Sequence, residues 1–385
     1  MREDAYAAAL GGLSGATPLR LHNLLRSRSA REALRAIESA SIGTEVAPPD
    51  VLAEWQREIS RLDLPSVSAR LDELDARVST LHERIHPPQL TNDIDPAPLL
   101  FCRGRLPDPS LVHVAGVGTR RASAIGREVA RELGFGLAQA GVVVVSGLAL
   151  GIDGEAHRGA LLAAAVPPLA VVGSGVDVVY PKRHSDIWED VASVGALVSE
   201  APLGAPPEPW RFPARNRLIA AFSDLLVVVE SRDSGGSLLT VEQALRRDIE
   251  VMAVPGSVRN KAAGGTNQLL VDGSAPARDV TDVLVALGLS EIAVAARRNE
   301  HEVNAPDSPV GTRASPAHSA AGIGDSAAVV GRTAVVLDAI DDGPTSVDEV
   351  VDRSGLGVIE VYGLVEELVA MGLVVHDGSR VRRQH

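Results

Sequence analysis

The chain carries a single cysteine, Cys102, in 385 residues, so no internal disulfide and no cysteine-based metal centre can form. A lone thiol fits a reducing compartment. Aromatic residues make up only 3% of the chain, which leaves packing mainly to Ala, Val, Leu and Gly. No run of about 20 apolar residues is present to span a bilayer. The start, "MREDAYAAALGGLSGA", has acidic residues and no continuous apolar stretch, which argues against a secretory signal. A cytoplasmic protein is expected. The ten histidines are scattered without ligand spacing, so neither a metal nor a cofactor is expected. Positive charge is also scarce, with a net charge of −13. That would exclude a nucleic-acid partner if charge were evenly spread, but it is not. Residues 100–288 hold 18 Lys and Arg against 20 Asp and Glu, whereas residues 329–385 hold 5 against 10. Phosphate binding responds to local potential rather than to the sum.

What is present sorts into four segments. Residues 1–85 read as a helical module, with "LSGATPLRLHNLLRS", "SAREALRAIES" (Ser29 as N-cap), "PPDVLAEWQREISRLD" and "SVSARLDELDARVSTLHERI" in helical register. "HPPQLTNDIDPAP" breaks that register. Residues 86–288 form the core. Within it, short Val- and Leu-rich runs such as "LVHVAGV", "VVVVSG", "LAVVGSG" and "DLLVVVE" alternate with helical stretches. Continuous apolar strands between helices predict a doubly wound, mostly parallel α/β sheet buried on both faces. Residues 289–328 are rich in Ala, Pro, Ser and Gly and read as a flexible linker. Residues 329–385 read as three helices and a hairpin around Asp-Gly, the outline of a winged helix.

In such a sheet, ligands sit beyond the carboxyl ends of the strands. The loops there repeat one chemistry. "GVGTRRAS" offers Gly118, Thr119 and Arg120, and "SGLALGIDGEAH" offers Ser146 and Gly147. "GSGVDVVYPKR" brings Gly173, Gly175 and Lys182; "WRFPARNRLIAAF" brings Phe212, Arg215, Asn216 and Arg217; "ESRDSGGSLLT" brings Gly236 and Ser237. Glycines let backbone N–H groups approach an anion, helix N-termini attract it, and cations complete the match. Neither G-x-G-x-x-G nor a Walker lysine is present. Arg215 and Arg217, beside an apolar helix, must be paired or functional. Arg215 is the expected phosphate contact, and Arg217 the expected partner of an acid such as Glu230 or Asp224. Asp153, His157, Ser146 and Glu200 form no triad or carboxylate pair, so a non-enzymatic binding protein is expected.

These loops together resemble the DNA-processing protein A (DprA/Smf) family. The resemblance rests on "VGTR", "SGLALGIDGEAH", "GSGVDVVYP", "SEAPLG", "FPARNRLIAAFSDLLVVVE", "GGSLLT" and "VPGS", in that order over residues 100–285. It implies an extended Rossmann-like fold, single-stranded DNA binding, a homodimer, and loading of RecA recombinase during natural transformation. By position it gives phosphate contacts to Arg120 and Lys182, and the Arg-Asn-Arg element to residues 215–217. It also sets two departures: Leu150 stands where the family has a basic residue, and Ser234 replaces another cation. The alternative is a lysine-decarboxylase-like nucleoside-monophosphate phosphoribohydrolase using the same phosphate pocket, with Glu242 as base. In the C-terminal segment, helix 358–370 carries Glu360, Glu366 and Glu367 and no Lys or Arg. That charge predicts a module contacting protein rather than DNA.

Overall fold

The computed structural model describes residues 3–289 continuously and scattered residues between 336 and 383. It divides into two compact units, Met1–Ala305 and Pro306–His385. The first unit opens with helices α1 (Glu3–Gly11), α2 (Pro18–Leu25), α3 (Ala30–Glu38), α4 (Pro49–Ile59) and α5 (Leu64–Glu73). Ser29 does cap α3. Its hydroxyl accepts from the Glu32 N–H while the Glu32 carboxylate accepts from the Ser29 N–H, so two otherwise orphaned donors are satisfied.

The helical reading fails after residue 74. Asp75 takes φ +48°, which ends α5, and "ARVST" becomes strand β1 (Ala76–Thr80). A short α6 (Pro88–Thr91) follows, then β2 (Leu99–Gly104). β1 and β2 pair antiparallel, with Val78 opposite Phe101. The expected helix failed because tertiary pairing overrides local propensity: Val78 and Ser79 are worth more in a ladder on a buried face than in another helical turn.

The core then alternates as expected: β3 (His113–Gly118), α7 (Ala124–Gln139), β4 (Val143–Ser146), α8 (Ile152–Ala163), β5 (Leu169–Val171), α9 (Ser185–Val194) and β6 (Ala196–Ser199). The remainder is α10 (Arg211–Ala221), β7 (Leu225–Glu230), α11 (Leu238–Leu245), β8 (Glu250–Ala253), α12 (Gly264–Val271), β9 (Ala275–Pro276) and α13 (Val280–Ala286). The strands form one nine-stranded sheet in the order β1-β2-β6-β5-β4-β3-β7-β8-β9, parallel from β6 to β9. Ala115, Val143 and Val145 pack on one face, and Val114, Val144 and Val227 on the other. Strands buried on both faces explain the continuous apolar runs.

The N-terminal helices are not set apart from this sheet. Leu10, Leu24, Trp55 and Leu71 share one buried cluster with Phe101, Val172 and Trp188 of the core. The 1–85 stretch is therefore continuous with the core in packing. Among the described residues, no helix is long and apolar enough to cross a membrane.

In the second unit, β10 (Thr345–Ser346), β11 (Val374–Asp377) and β12 (Arg380–Arg383) form an antiparallel sheet in the order β10-β12-β11. Asp377 lies opposite Arg380 in the antiparallel β11–β12 pair, as the expected hairpin requires. The linker and the acidic residues of helix 358–370 lie outside the described residues.

Candidate nucleic-acid interface

β3 lies at the centre of the sheet, with β4 on one side and β7 on the other. The connections leaving this point run in opposite directions, which opens a crevice at the strands' carboxyl ends. A cavity of about 690 Å³ occupies it. Residues 117–121 after β3 form one wall, the first turns of α10 another, and residues 232–240 a third.

The floor and the rim have different chemistry. At the rim, the Arg120 guanidinium lies 5.0 Å from the Phe212 ring centroid, and Tyr180 meets the same ring at 5.3 Å with a 36° tilt. Arg120, Arg121 and Arg232 are exposed, and among the described residues none of them meets a carboxylate. Three unpaired guanidiniums around one concave site make a positive potential that the chain's net charge conceals.

At the floor, Arg215 is buried and its Nη1 donates to the Val171 carbonyl at 2.8 Å. Its Nε has no partner. Burial lowers its pKa to about 10, against the attraction of Asp153, so it stays charged at neutral pH. Burial also raises the Asp153 carboxyl, opposed by Arg215 and by the Gly147 and Gly118 backbone N–H groups. Asp153 thus ties down the loop after β4, accepting from Gly147 N–H at 3.2 Å. Gly147 has to be glycine: a Cβ there would lie 1.6 Å from Arg215 Nη1. Gly173 gives Phe212 similar room, since its Cβ would stand 3.0 Å from the ring.

The start of α7, which sequence reasoning offers to an anion, is already occupied. Glu230 Oε2 accepts from Ser123 N–H at 2.7 Å, the Ser123 hydroxyl from Gly126 N–H at 2.9 Å, and the Glu230 carbonyl from Thr119 N–H at 2.7 Å. The chain's own carboxylate caps this helix, so the rim's positive character comes from side chains.

The model of the family described as DNA recombination-mediator protein A matches residues 77–288. The chain belongs to this family. It is 33% identical over 328 residues to protein Smf of Escherichia coli, covering 84% of this chain and 82% of that protein. It is 34% identical over 225 residues to the DNA processing protein DprA of Bacillus subtilis, covering 58% of this chain and 75% of that one. Among solved structures it resembles DNA processing protein A of Streptococcus pneumoniae, with a TM-score of 0.62 and 27% identity over 74% of this chain and 96% of that one. The relatives are named for DNA processing rather than for a catalysed reaction.

Of the residues expected in the recombination-mediator site, the cavity brings together Gly118, Thr119, Arg120, Phe212, Arg215, Asn216, Gly236 and Ser237. Gly147 and Gly173 line a small adjoining recess. Four others do not line either. Ser146 is buried and donates to the Gly116 carbonyl at 2.6 Å. Gly175 packs on the loop after β6, its N–H bonded to Ala205. Lys182 is exposed on a short 3-10 turn beside the cavity.

Arg217 is paired as expected, but with other acids. Its Nη2 reaches Glu200 at 2.5 Å, its Nη1 the Asp95 carbonyl at 2.7 Å, and its Nε the Asp95 carboxylate at 3.3 Å. Glu230 is committed to α7 and to Asn260, and Asp224 to the His113 N–H. Burial pushes the Glu200 carboxyl up to about 7 despite Arg217. Glu242 is exposed on α11 and lines no part of the cavity, so the phosphoribohydrolase base is not where that chemistry needs it. Sequence reasoning missed Arg121, Tyr180 and Arg232. Arg232 restores on the same loop the cation that Ser234 lacks.

Proposed function

We propose that the chain binds single-stranded DNA along this rim and delivers it to a RecA-type recombinase, as a cytoplasmic homodimer serving natural transformation or recombination. The observation that carries the reading is the unpaired cluster of Arg120, Arg121 and Arg232 around a cavity whose mouth holds the Arg120–Phe212 stack. Cations without carboxylates attract phosphates, and an aromatic face accepts any base, which suits sequence-tolerant binding of a single strand. Membership of a recombination-mediator family supports the recombinase as the recipient. The narrow crevice and its ring platform favour a single strand over a duplex, whose bases are not free to stack.

The test is a salt titration of oligo-dT binding by fluorescence anisotropy. Arg120→Ala is expected to weaken binding about tenfold and to flatten the log–log salt slope by about 1. Unchanged affinity and slope in both Arg120→Ala and Arg232→Ala would remove the rim from the mechanism.

A further inference from the structure

A second cavity, of about 380 Å³, lies beside the first. The turn between α1 and α2 forms one side of it, through Gly12, Leu13 and Ala16, and the core forms the other, through Glu200, Trp210 and Arg211. The two aromatics of the α10 start are thereby divided. Phe212 lines the first cavity and Trp210 the second, while Arg215 borders both.

The two aromatics carry the same device with opposite electrostatics. Each ring has a guanidinium against it, Arg120 on Phe212 at 5.0 Å and Arg211 on Trp210 at 4.5 Å. Arg120 forms no ion pair among the described residues and feels the field of the buried Asp153. Arg211 is paired: Glu208 accepts from its Nε at 3.3 Å and from Trp210 Nε1 at 2.9 Å. A second carboxylate, Glu200, lines the same cavity. One of its oxygens accepts from Arg217, and among the described residues the other accepts no hydrogen bond. The rest of the lining is largely apolar or glycine. Arg211 and Arg215 also border the cavity, but both are already engaged, by Glu208 and by the Val171 carbonyl. A phosphate therefore gains less here than at the rim, whereas a flat neutral group with N–H donors meets the second Glu200 oxygen.

We propose that this second cavity is a base-binding subsite, which takes one unstacked base, guanine in preference, from the strand whose phosphates lie on the neighbouring rim. The proposal rests on the single-strand reading above. Trp210, 60% exposed, supplies the stacking face and Glu200 the acceptor. Guanine suits this acceptor best because N1–H and N2–H stand side by side on one edge. Thymine offers one N–H flanked by two carbonyl oxygens that a carboxylate repels, and adenine and cytosine offer only an amino group. Because Arg215 borders both cavities, and Gly173 joins the second to the small recess beside the first, neighbouring nucleotides can serve both.

The experiment compares binding of the full chain to oligo-dT and to the same strand carrying one central guanine. The wild type is expected to bind the guanine strand about five- to tenfold more tightly. Glu200→Ala removes the acceptor but also strands Arg217, so Ala16→Leu is the cleaner variant. Ala16 lines this cavity and neither the first cavity nor the small recess, so a larger side chain there acts on the subsite and leaves the rim residues in place. In Ala16→Leu the guanine preference should fall to within twofold of unity while oligo-dT affinity is kept. Equal binding of the two strands by the wild type, with oligo-dT still bound, overturns the subsite and leaves the cavity to a protein side chain. So does a preference that survives Ala16→Leu. Failure of the wild type to bind either strand at low salt is a different result: it removes the rim reading, and the subsite falls with it.

Discussion

Arginines at the start of α10 and arginines on the loops after β3 and β7 stand around the same crevice, and they have opposite fates. Arg215 and Arg217 are buried, and each is fixed by backbone carbonyls or carboxylates of distant segments. Arg120, Arg121 and Arg232 are exposed and form no ion pair among the described residues. A buried charge is tolerated only when paired and hydrogen-bonded, so the first set is committed to holding loops in place. An exposed, unpaired charge adds little to stability and is available to a ligand. We propose that the "RNR" element frames the site, with Arg215 also facing the cavity, and that "TRR" with Arg232 is its main contact surface.

The sharpest way to break this division is to disturb the frame. Gly147→Val would drive a branched side chain into Arg215 Nη1 and detach the loop after β4 from Asp153. The expected loss is about 3 kcal/mol or more in urea unfolding, with binding lost as well. Next comes Arg217→Ala, which leaves Glu200 and Asp95 without their cation. A cost of about 2–4 kcal/mol is expected, less than for a fully enclosed pair because Asp95 is half exposed. A stability change below about 0.5 kcal/mol in Arg217→Ala would mean that α10 is not framing the site. Arg120→Ala should do the reverse, weakening binding about tenfold while the unfolding midpoint stays within error. If Arg120→Ala unfolds the protein, the two classes of arginine are one.

Most of the frame was legible in sequence only in part. Apolar runs between glycine-rich turns gave the parallel strands, because a strand buried on both faces has nothing else to be made of. Ser29 with Glu32 gave a helix start, because a capping box is local. The partners of Arg217 were not legible. Glu200 is 17 residues away and Asp95 is 122, and no local pattern announces such pairs. The same holds for Glu230, which reaches back 107 residues to cap α7. β1 was lost because its five residues follow a helix without proline or glycine between them. On the rim, by contrast, the first strand loop could be read directly, since Gly118, Thr119 and Arg120 are consecutive and need no partner.

Beneath the frame lies a pH-sensitive layer that the rim lacks. His157 is fully buried on α8, and neither ring nitrogen meets a hydrogen-bond partner; burial drops its pKa to about 4. His86 is buried near β1, shares one hydrogen bond with Ser79, and is likewise lowered to about 4 by burial. Both rings fold neutral, so their contribution is present above about 6.5 and is lost as pH falls from there toward 4, where the unfolded chain takes up protons the folded chain refuses. Each ring should lower stability by about 1–2 kcal/mol between pH 7 and pH 5 in urea unfolding. Glu200 runs the opposite way, because its raised carboxyl takes up a proton in the folded state over the same window. His157→Leu should shift the pH 7 to pH 5 difference by its own share. Neither histidine lines the rim cavity, so rim affinity measured on folded protein should change little between the same two pH values.

The smallest expected effect concerns the second compact unit. Its sequence segment, residues 329–385, carries 5 basic residues against 10 acidic ones, an excess that repels phosphates rather than gathering them. Removing residues 329–385 should therefore leave the affinity for oligo-dT within about twofold at moderate salt, well short of the Arg120→Ala effect. The comparison is informative because Arg380, Arg382 and Arg383 all belong to one strand, β12. If the truncated chain loses tenfold or more, that strand contributes a second phosphate contact, and the rim after β3 and β7 no longer accounts for binding by itself. If affinity holds while delivery to the recombinase is lost, the unit serves a protein partner, which is the role its acidic balance predicts.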